Sequence, residues 1–187
     1  MRVIAGSAKG HKLKTPEGFK TRPTTDRIKE TLFNMLAFDL PGCDFLDLFA
    51  GSGAIGIEAL SRGAKQAFFV DESSTCAKII HENLEHTKLS SKGEIIQKDV
   101  FSGLLYLMQQ NVQFDIIFMD PPYGAGLALP VLEKIMSYHL LKKDGYVVVE
   151  DTATIPLEPP EGFYVVKEKK YKTTILTWLS LEEQTEC

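Results

Sequence analysis

From Asp44 onward, short β-type runs and helical stretches take turns along the chain, and no other feature restricts the possible folds as tightly. Strand character falls on Phe45 to Phe49, Gln66 to Val70, Glu94 to Gln97, Asp115 to Met119 and Tyr146 to Val149. Helical spacing of apolar residues falls between them, on Ala54 to Arg62, Ser74 to Thr87, Phe101 to Gln110 and Leu127 to His139. Such alternation is the mark of βαβ units and a parallel sheet covered by helices on both faces. The tail breaks the rhythm. Phe163 to Glu168 and Thr173 to Leu181 read as strands joined through Lys169-Lys170-Tyr171-Lys172, too short a link for a parallel crossover, so these two pair antiparallel. The expected fold is α/β: a doubly wound, mostly parallel seven-stranded sheet ending in an antiparallel hairpin.

Ahead of this body lie a basic arm and one helix. Residues 1 to 30 hold eight Lys or Arg against three acids, a net +5, which leaves −9 for the rest of a chain whose total is −4. A basic arm on an acidic body suits a face that meets phosphates. Pro23-Thr24-Thr25-Asp26 offers helix-start chemistry, and Ile28, Leu32, Met35 and Leu36 then share one helical face, with an end expected near Pro41-Gly42. At 187 residues, 44% apolar and 25% charged, the chain is sized for one domain, 1–187, with the arm and helix at 1–42 and the body at 43–187. No apolar stretch approaches the ~20 residues of a membrane span, and the first residues lack a signal peptide's apolar segment, so a cytoplasmic location is expected. Cys43, Cys76 and Cys187 are far apart and none lies at ligand spacing to a histidine, so neither a disulfide nor a metal is expected. Nothing in the chain demands a partner subunit, and a monomer is expected.

Two segments carry the chemistry. The first strand runs through Asp47-Leu48-Phe49-Ala50-Gly51-Ser52-Gly53-Ala54-Ile55-Gly56 into a helix, the setting required of a nucleotide-binding loop. Its spacing alone does not select the cofactor, because Asp71, twenty residues after Gly51, suits a ribose hydroxyl of NAD as well. Asp47 before the glycines and Asp99 at the end of the third strand favour a ligand with a cationic end and an adenine amino group. Strand-end Asp residues also cap helices and make Asx turns, and that reading stays open for Asp71 and Asp99. The second segment is Asp120-Pro121-Pro122-Tyr123, placed where a buried strand ends. It offers a carboxylate, stiffly held carbonyls without competing N–H donors, and an aromatic face, which together fit a planar amino group.

With these motifs the chain resembles class I S-adenosylmethionine-dependent methyltransferases. It is most similar to the RsmD family, which methylates the N2 amino group of a guanine in bacterial 16S ribosomal RNA. The resemblance runs through Arg2-Val3-Ile4-Ala5-Gly6, Gly10-His11-Lys12-Leu13, Arg22-Pro23-Thr24-Thr25-Asp26-Arg27 and Glu30-Thr31-Leu32-Phe33-Asn34. It continues through the glycine loop, its follow-on Gly56-Ile57-Glu58-Ala59-Leu60-Ser61-Arg62-Gly63, and Asp-Pro-Pro-Tyr. It implies a Rossmann-like core and S-adenosylmethionine as methyl donor, with S-adenosylhomocysteine as product. By the resemblance, Asp47, Gly51 and Gly53 line the methionine part, Asp71 binds the ribose hydroxyls and Asp99 faces the adenine; Phe49, Ala50, Ser52, Glu72, Val100 and Asn34, the last in the N-terminal motif, complete the expected cofactor-binding set. The helix start after Gly53 suits the methionine carboxylate. Asp120, Pro121, Pro122 and Tyr123 are the expected catalytic set. Arg2, Lys9, Lys12, Arg22 and Arg27 are the expected contacts to 16S rRNA or the small-subunit particle. Alternative targets are adenine N6, cytosine N4 or a protein glutamine amide.

Overall fold

The computed structural model describes residues 1–16, 26–122, 124–153 and 157–182. In chain order the elements are α1 (Asp26–Met35), β1 (Asp44–Leu48), α2 (Ala54–Ser61), β2 (Gln66–Asp71), α3 (Ser74–Thr87), β3 (Gly93–Gln97), α4 (Val100–Gln109), β4 (Phe114–Met119), α5 (Ala128–Ser137), β5 (Leu141–Thr152), β6 (Phe163–Lys170) and β7 (Thr174–Leu181). The strands form one seven-stranded sheet in the order β3-β2-β1-β4-β5-β7-β6. The first five are parallel, and β7 enters antiparallel between β5 and β6.

Alternation along the strands sorts the core into two halves. Phe45, Phe69 and Phe118 pack with Leu32 of α1, Ile57 of α2 and Ile80 of α3, whereas Leu46, Leu48, Phe68 and Ile117 pack with Leu104 of α4 and Val131 and Ile135 of α5. Helices thus cover both faces, and the central strands can be apolar on each. The chain steps outward from β1 to β2 and β3, then crosses back to place β4 on the other side of β1. That reversal of strand order sets the carboxyl ends of β1 and β4 side by side, the position where open α/β sheets take their ligands.

Several element bounds differ from the sequence reading. α1 stops at Met35 and gives way to turns held by Asp39 N to Leu36 O at 2.9 Å, well short of Pro41. Phe49 has left β1 and holds φ 60°, so the chain turns one residue early into the glycine loop. β5 reaches back to Leu141, which pairs with Phe114 of β4 across a register shift, and on to Thr152, because antiparallel pairing with β7 carries its far end beyond its contact with β4. Lys169 and Lys170 belong to β6, so the hairpin turn is confined to residues near Tyr171, whose N–H donates to Thr174 O at 2.7 Å. Pro23, Thr24 and Thr25 lie outside the described residues.

The basic arm is fastened down through its backbone. Residues 1–13 double back on themselves, with Arg2 bridged antiparallel to Lys12 and Val3 N donating to His11 O at 2.9 Å. The fold-back then docks on α2. Ile4 N and Ala5 N donate to the two carboxylate oxygens of Glu58 at 2.8 and 3.0 Å, and Ser7 N donates to Ser61 O at 2.8 Å. Glu58 and Lys29 are both 0% exposed and pair at 3.1 Å, with Arg62 Nε 2.8 Å from the same carboxylate and Lys29 Nζ donating also to Arg2 O. Burial lowers the Lys29 pKa, and the adjacent Glu58 carboxylate works against that shift.

Candidate active site

The glycine loop joins β1 to α2 at this reversal of strand order. Gly51 takes a left-handed φ of 55°, and a side chain there would meet nothing nearer than Phe49 O at 4.0 Å, so the open side of this turn faces outward. Gly56 serves packing instead. A Cβ at that position would lie 2.3 Å from the Phe69 ring, so only glycine lets α2 settle against β2. α2 has no side-chain cap from Gly53, and of its first three N–H groups only that of Gly56 has a described side-chain acceptor, Asp47.

Three acids stand at the ends of β1, β2 and β3. Asp47 is 1% exposed, and its described hydrogen bond is the one accepted from Gly56 N at 2.9 Å. Burial lifts its pKa well above the ordinary carboxylate range, and the charges of Asp120 and Asp71 add to the rise. Asp71 accepts from Gly51 N at 2.8 Å through one oxygen and from Ser73 N at 2.9 Å through the other, so it braces the glycine loop while making the turn into α3. Asp99 caps α4: its Oδ1 accepts from Phe101 N and Ser102 N, both at 3.1 Å, and the Ser102 side chain first, then the Ser102 and Phe101 N–H groups, hold its pKa below the usual value. The turn and capping readings left open by the sequence are therefore realised in both residues. Each still presents carboxylate toward solvent, since Asp99 is exposed and Asp71 half-buried.

Asp120 follows β4 directly, and the register of Met119 with Val149 puts it beside Glu150 at the end of β5. Its pKa is pushed up to about 8, first by burial and then by the charges of Glu150 and Asp151. None of the described ion pairs involves Asp47, Asp71 or Asp120. Pro121 is buried and Pro122 exposed, while Tyr123 lies outside the described residues. This set fits S-adenosylmethionine: an open glycine turn beside a helix start receives a carboxylate, and buried acids with raised pKa values favour a cationic ligand.

The remaining expected residues are more scattered. Phe49 and Ala50 are half-buried and Ser52 buried within the loop, Glu72 is exposed after Asp71, and Val100 is buried at the start of α4. Asn34 is exposed on α1. Arg2, Lys9, Lys12 and Arg27 are exposed, Arg2 lying 3.5 Å from Asp26, and Arg22 is outside the described residues. Clefts of about 380 and 360 Å³ flank α3, but neither is lined by Asp47, Asp71, Asp99 or Asp120, so convergence at strand ends marks the site better than concavity does. No group of acids, histidines or cysteines among the described residues could hold a metal ion, and no described helix is long and apolar enough to cross a membrane.

Sequence reasoning assigned no role to Glu58, Lys29, Asn83 or Glu150. Glu58 interrupts the otherwise apolar run of α2, Lys29 stands one turn before Phe33 on the buried face of α1, and Asn83 shares the buried stripe of α3 with Cys76, Ile80 and Thr87. A polar residue inside an apolar helical stripe was the signal available.

A family model described as Conserved hypothetical protein 95 matches residues 1–180. The chain belongs to that family. Among relatives, "Ribosomal RNA small subunit methyltransferase D" of Haemophilus influenzae is 40% identical over 90% of this chain and 88% of its own length. The protein of that name from Escherichia coli K12 is 35% identical over 89% of this chain and 79% of its own. A solved Thermus thermophilus structure, described as a hypothetical protein, superposes with a TM-score of 0.83 at 29% identity and covers 97% of this chain and 99% of its own. A solved Streptococcus mutans structure, described as a SAM-dependent methyltransferase, has a TM-score of 0.69 at 15% identity, covering 83% of this chain and 48% of its own, and shows the shared fold.

Proposed function

We propose that this member of the family transfers a methyl group from S-adenosylmethionine to the N2 amino group of a guanine in 16S ribosomal RNA. The observation that carries this reading is the proximity of two unlike sites. β1 and β4 are neighbours with Asp47 paired to Phe118 and Leu48 to Met119, so Asp120 leaves the sheet beside the start of the cofactor loop. An acceptor for an amino group thereby stands next to the place for a methyl donor. The names of the relatives direct the reaction to small-subunit rRNA, and the exposed basic residues of the arm provide phosphate contacts.

S-adenosylmethionine supplies an electrophilic methyl group on a sulfonium. The amino group of a base is a poor nucleophile, because its lone pair is delocalised into the ring. The Asp120 carboxylate and the Pro121 carbonyl each accept one N–H, which favours pyramidal nitrogen and aims the lone pair at the methyl carbon. As the new C–N bond forms and the sulfur–methyl bond breaks, with S-adenosylhomocysteine as leaving group, the nitrogen becomes acidic and its proton passes to Asp120 or to water. The base must leave its stack to reach this pocket, and Tyr123 is the aromatic face proposed to receive it. The raised Asp120 pKa makes its ionised, accepting form sensitive to pH near neutrality, and a neighbouring cation favours that form. The proposed enzyme works as a cytoplasmic monomer whose single domain carries both arm and core.

Incubation with labelled S-adenosylmethionine and small-subunit particles lacking the modification, followed by nucleoside analysis, tests the assignment. Label in N2-methylguanosine is expected. Label confined to N6-methyladenosine, N4-methylcytidine or protein refutes guanine as the target.

A further inference from the structure

Asn83 lies on the buried stripe of α3, 1% exposed, and its side-chain amide holds two segments that are distant in sequence. Nδ2 donates to Ser52 O at 2.9 Å and to Lys14 O at 3.0 Å, while Oδ1 accepts from Lys14 N at 2.8 Å. Both amide hydrogens and the oxygen are thus engaged. The bonding also fixes which way the amide points, since the reverse orientation sets Oδ1 against two carbonyls. Toward Lys14, Asn83 pairs as a neighbouring strand would. Toward Ser52, it fixes a carbonyl between Gly51 and Gly53, in the same loop that Asp71 braces through Gly51 N.

On the solvent side, Lys14 Nζ pairs with Glu82 at 2.7 Å, and both line the 380 Å³ cleft with Lys12, Glu85 and His86. A phosphate drawn to Lys12 and Lys14 therefore engages the residue whose backbone Asn83 holds. We propose that Asn83 is a positioning residue that couples the basic arm to the cofactor loop, so that RNA on the arm and cofactor in the loop strengthen each other's binding. This rests on the reading that the arm meets RNA. Because one amide restrains both segments, ordering either of them lowers the cost of ordering the other, and the effect is reciprocal.

The substitution Asn83→Asp preserves size and the acceptor for Lys14 N, but turns an oxygen toward two carbonyls. Calorimetry with S-adenosylhomocysteine, alone and with saturating substrate RNA, measures the coupling, and circular dichroism with thermal unfolding checks the fold. In the wild type, RNA is expected to tighten cofactor binding at least fivefold, at the low end of the roughly 5- to 150-fold range usual for coupled sites. In folded N83D that gain should vanish. Its persistence overturns the proposal. A second measurement needs no substitution: S-adenosylhomocysteine without RNA should slow hydrogen exchange of the Lys14 amide at least fivefold, and an unchanged rate also overturns it. Failure of the arm reading gives a different result, because removing the charges of Lys9 and Lys12 would then leave RNA affinity unaltered whatever N83D does.

Discussion

Two buried carboxylates on neighbouring elements are treated in opposite ways. Glu58 in α2 receives Lys29, Arg62 and two backbone N–H groups. Asp47, nine residues before Gly56, receives only the Gly56 N–H among the described residues and lies within reach of further acids. A buried charge compensated from within the chain belongs to the scaffold. One left facing other negative charges is costly to the folded protein, and a ligand cation can recover that cost. The two kinds of group sit at opposite ends of one short helix and loop, so the cofactor loop is strained electrostatically while the helix behind it is locked to the arm.

The largest effect should come from breaking the compensated side. Glu58→Ala strands Lys29 in the core and releases Ile4 and Ala5, so a loss of about 3–5 kcal/mol is expected in denaturant unfolding. A loss below about 1 kcal/mol would show that the pairing is not what fastens the arm. Asp120→Ala on the uncompensated side should lower kcat by about 10²–10³-fold in single-turnover methyl transfer while cofactor Kd changes little. Equal loss of both would place Asp120 in cofactor binding instead. Asp47→Asn separates the sides further: it should weaken cofactor binding by about tenfold in calorimetry while the apo protein unfolds at an equal or higher temperature, since a neutral amide avoids the burial cost that raises the Asp47 pKa.

A pH dependence bears on the uncompensated side alone. Asp120 has a folded pKa near 8, above its ordinary value of 3.8, so the folded state holds the extra proton between these limits. Stability therefore falls as pH rises from about 4 to about 8 and levels off above, and Asp120→Asn should flatten this slope in thermal unfolding. Activity runs the other way, because the ionised carboxylate is the acceptor. The kcat/KM profile should rise through an acid limb at or below about pH 8, and Asp120→Asn should abolish the limb.

Legibility followed chemical range. Helix α3 was readable to the residue, Ser74 to Thr87, because apolar periodicity is local, and the structure closes it with the Ser73 cap that accepts from Cys76 N and the left-handed Lys88. The strands were readable in place but not in length, since β5 is extended by β7, a partner that sequence spacing does not reveal. Asp47, Asp71 and Asp120 stood out because each follows apolar residues of a strand, and Asp99 because it closes the third strand segment. Their unequal tasks did not: Asp99 caps α4, Asp71 braces Gly51, and Asp47 and Asp120 are desolvated. The basic arm was legible as charge, whereas its backbone attachment to Glu58, Ser61 and Asn83 was not.

By itself, the sequence determined the alternating α/β order, the glycine turn into a helix, the Asp-Pro-Pro strand end and the terminal hairpin, all set by periodicity and by backbone limits within a few residues. Only the tertiary structure decided which acids are compensated and which are not. Desolvation and charge pairing depend on what other segments bring alongside, and Lys29, Asn83 and Glu150 reach their partners from parts of the chain that spacing leaves unrelated.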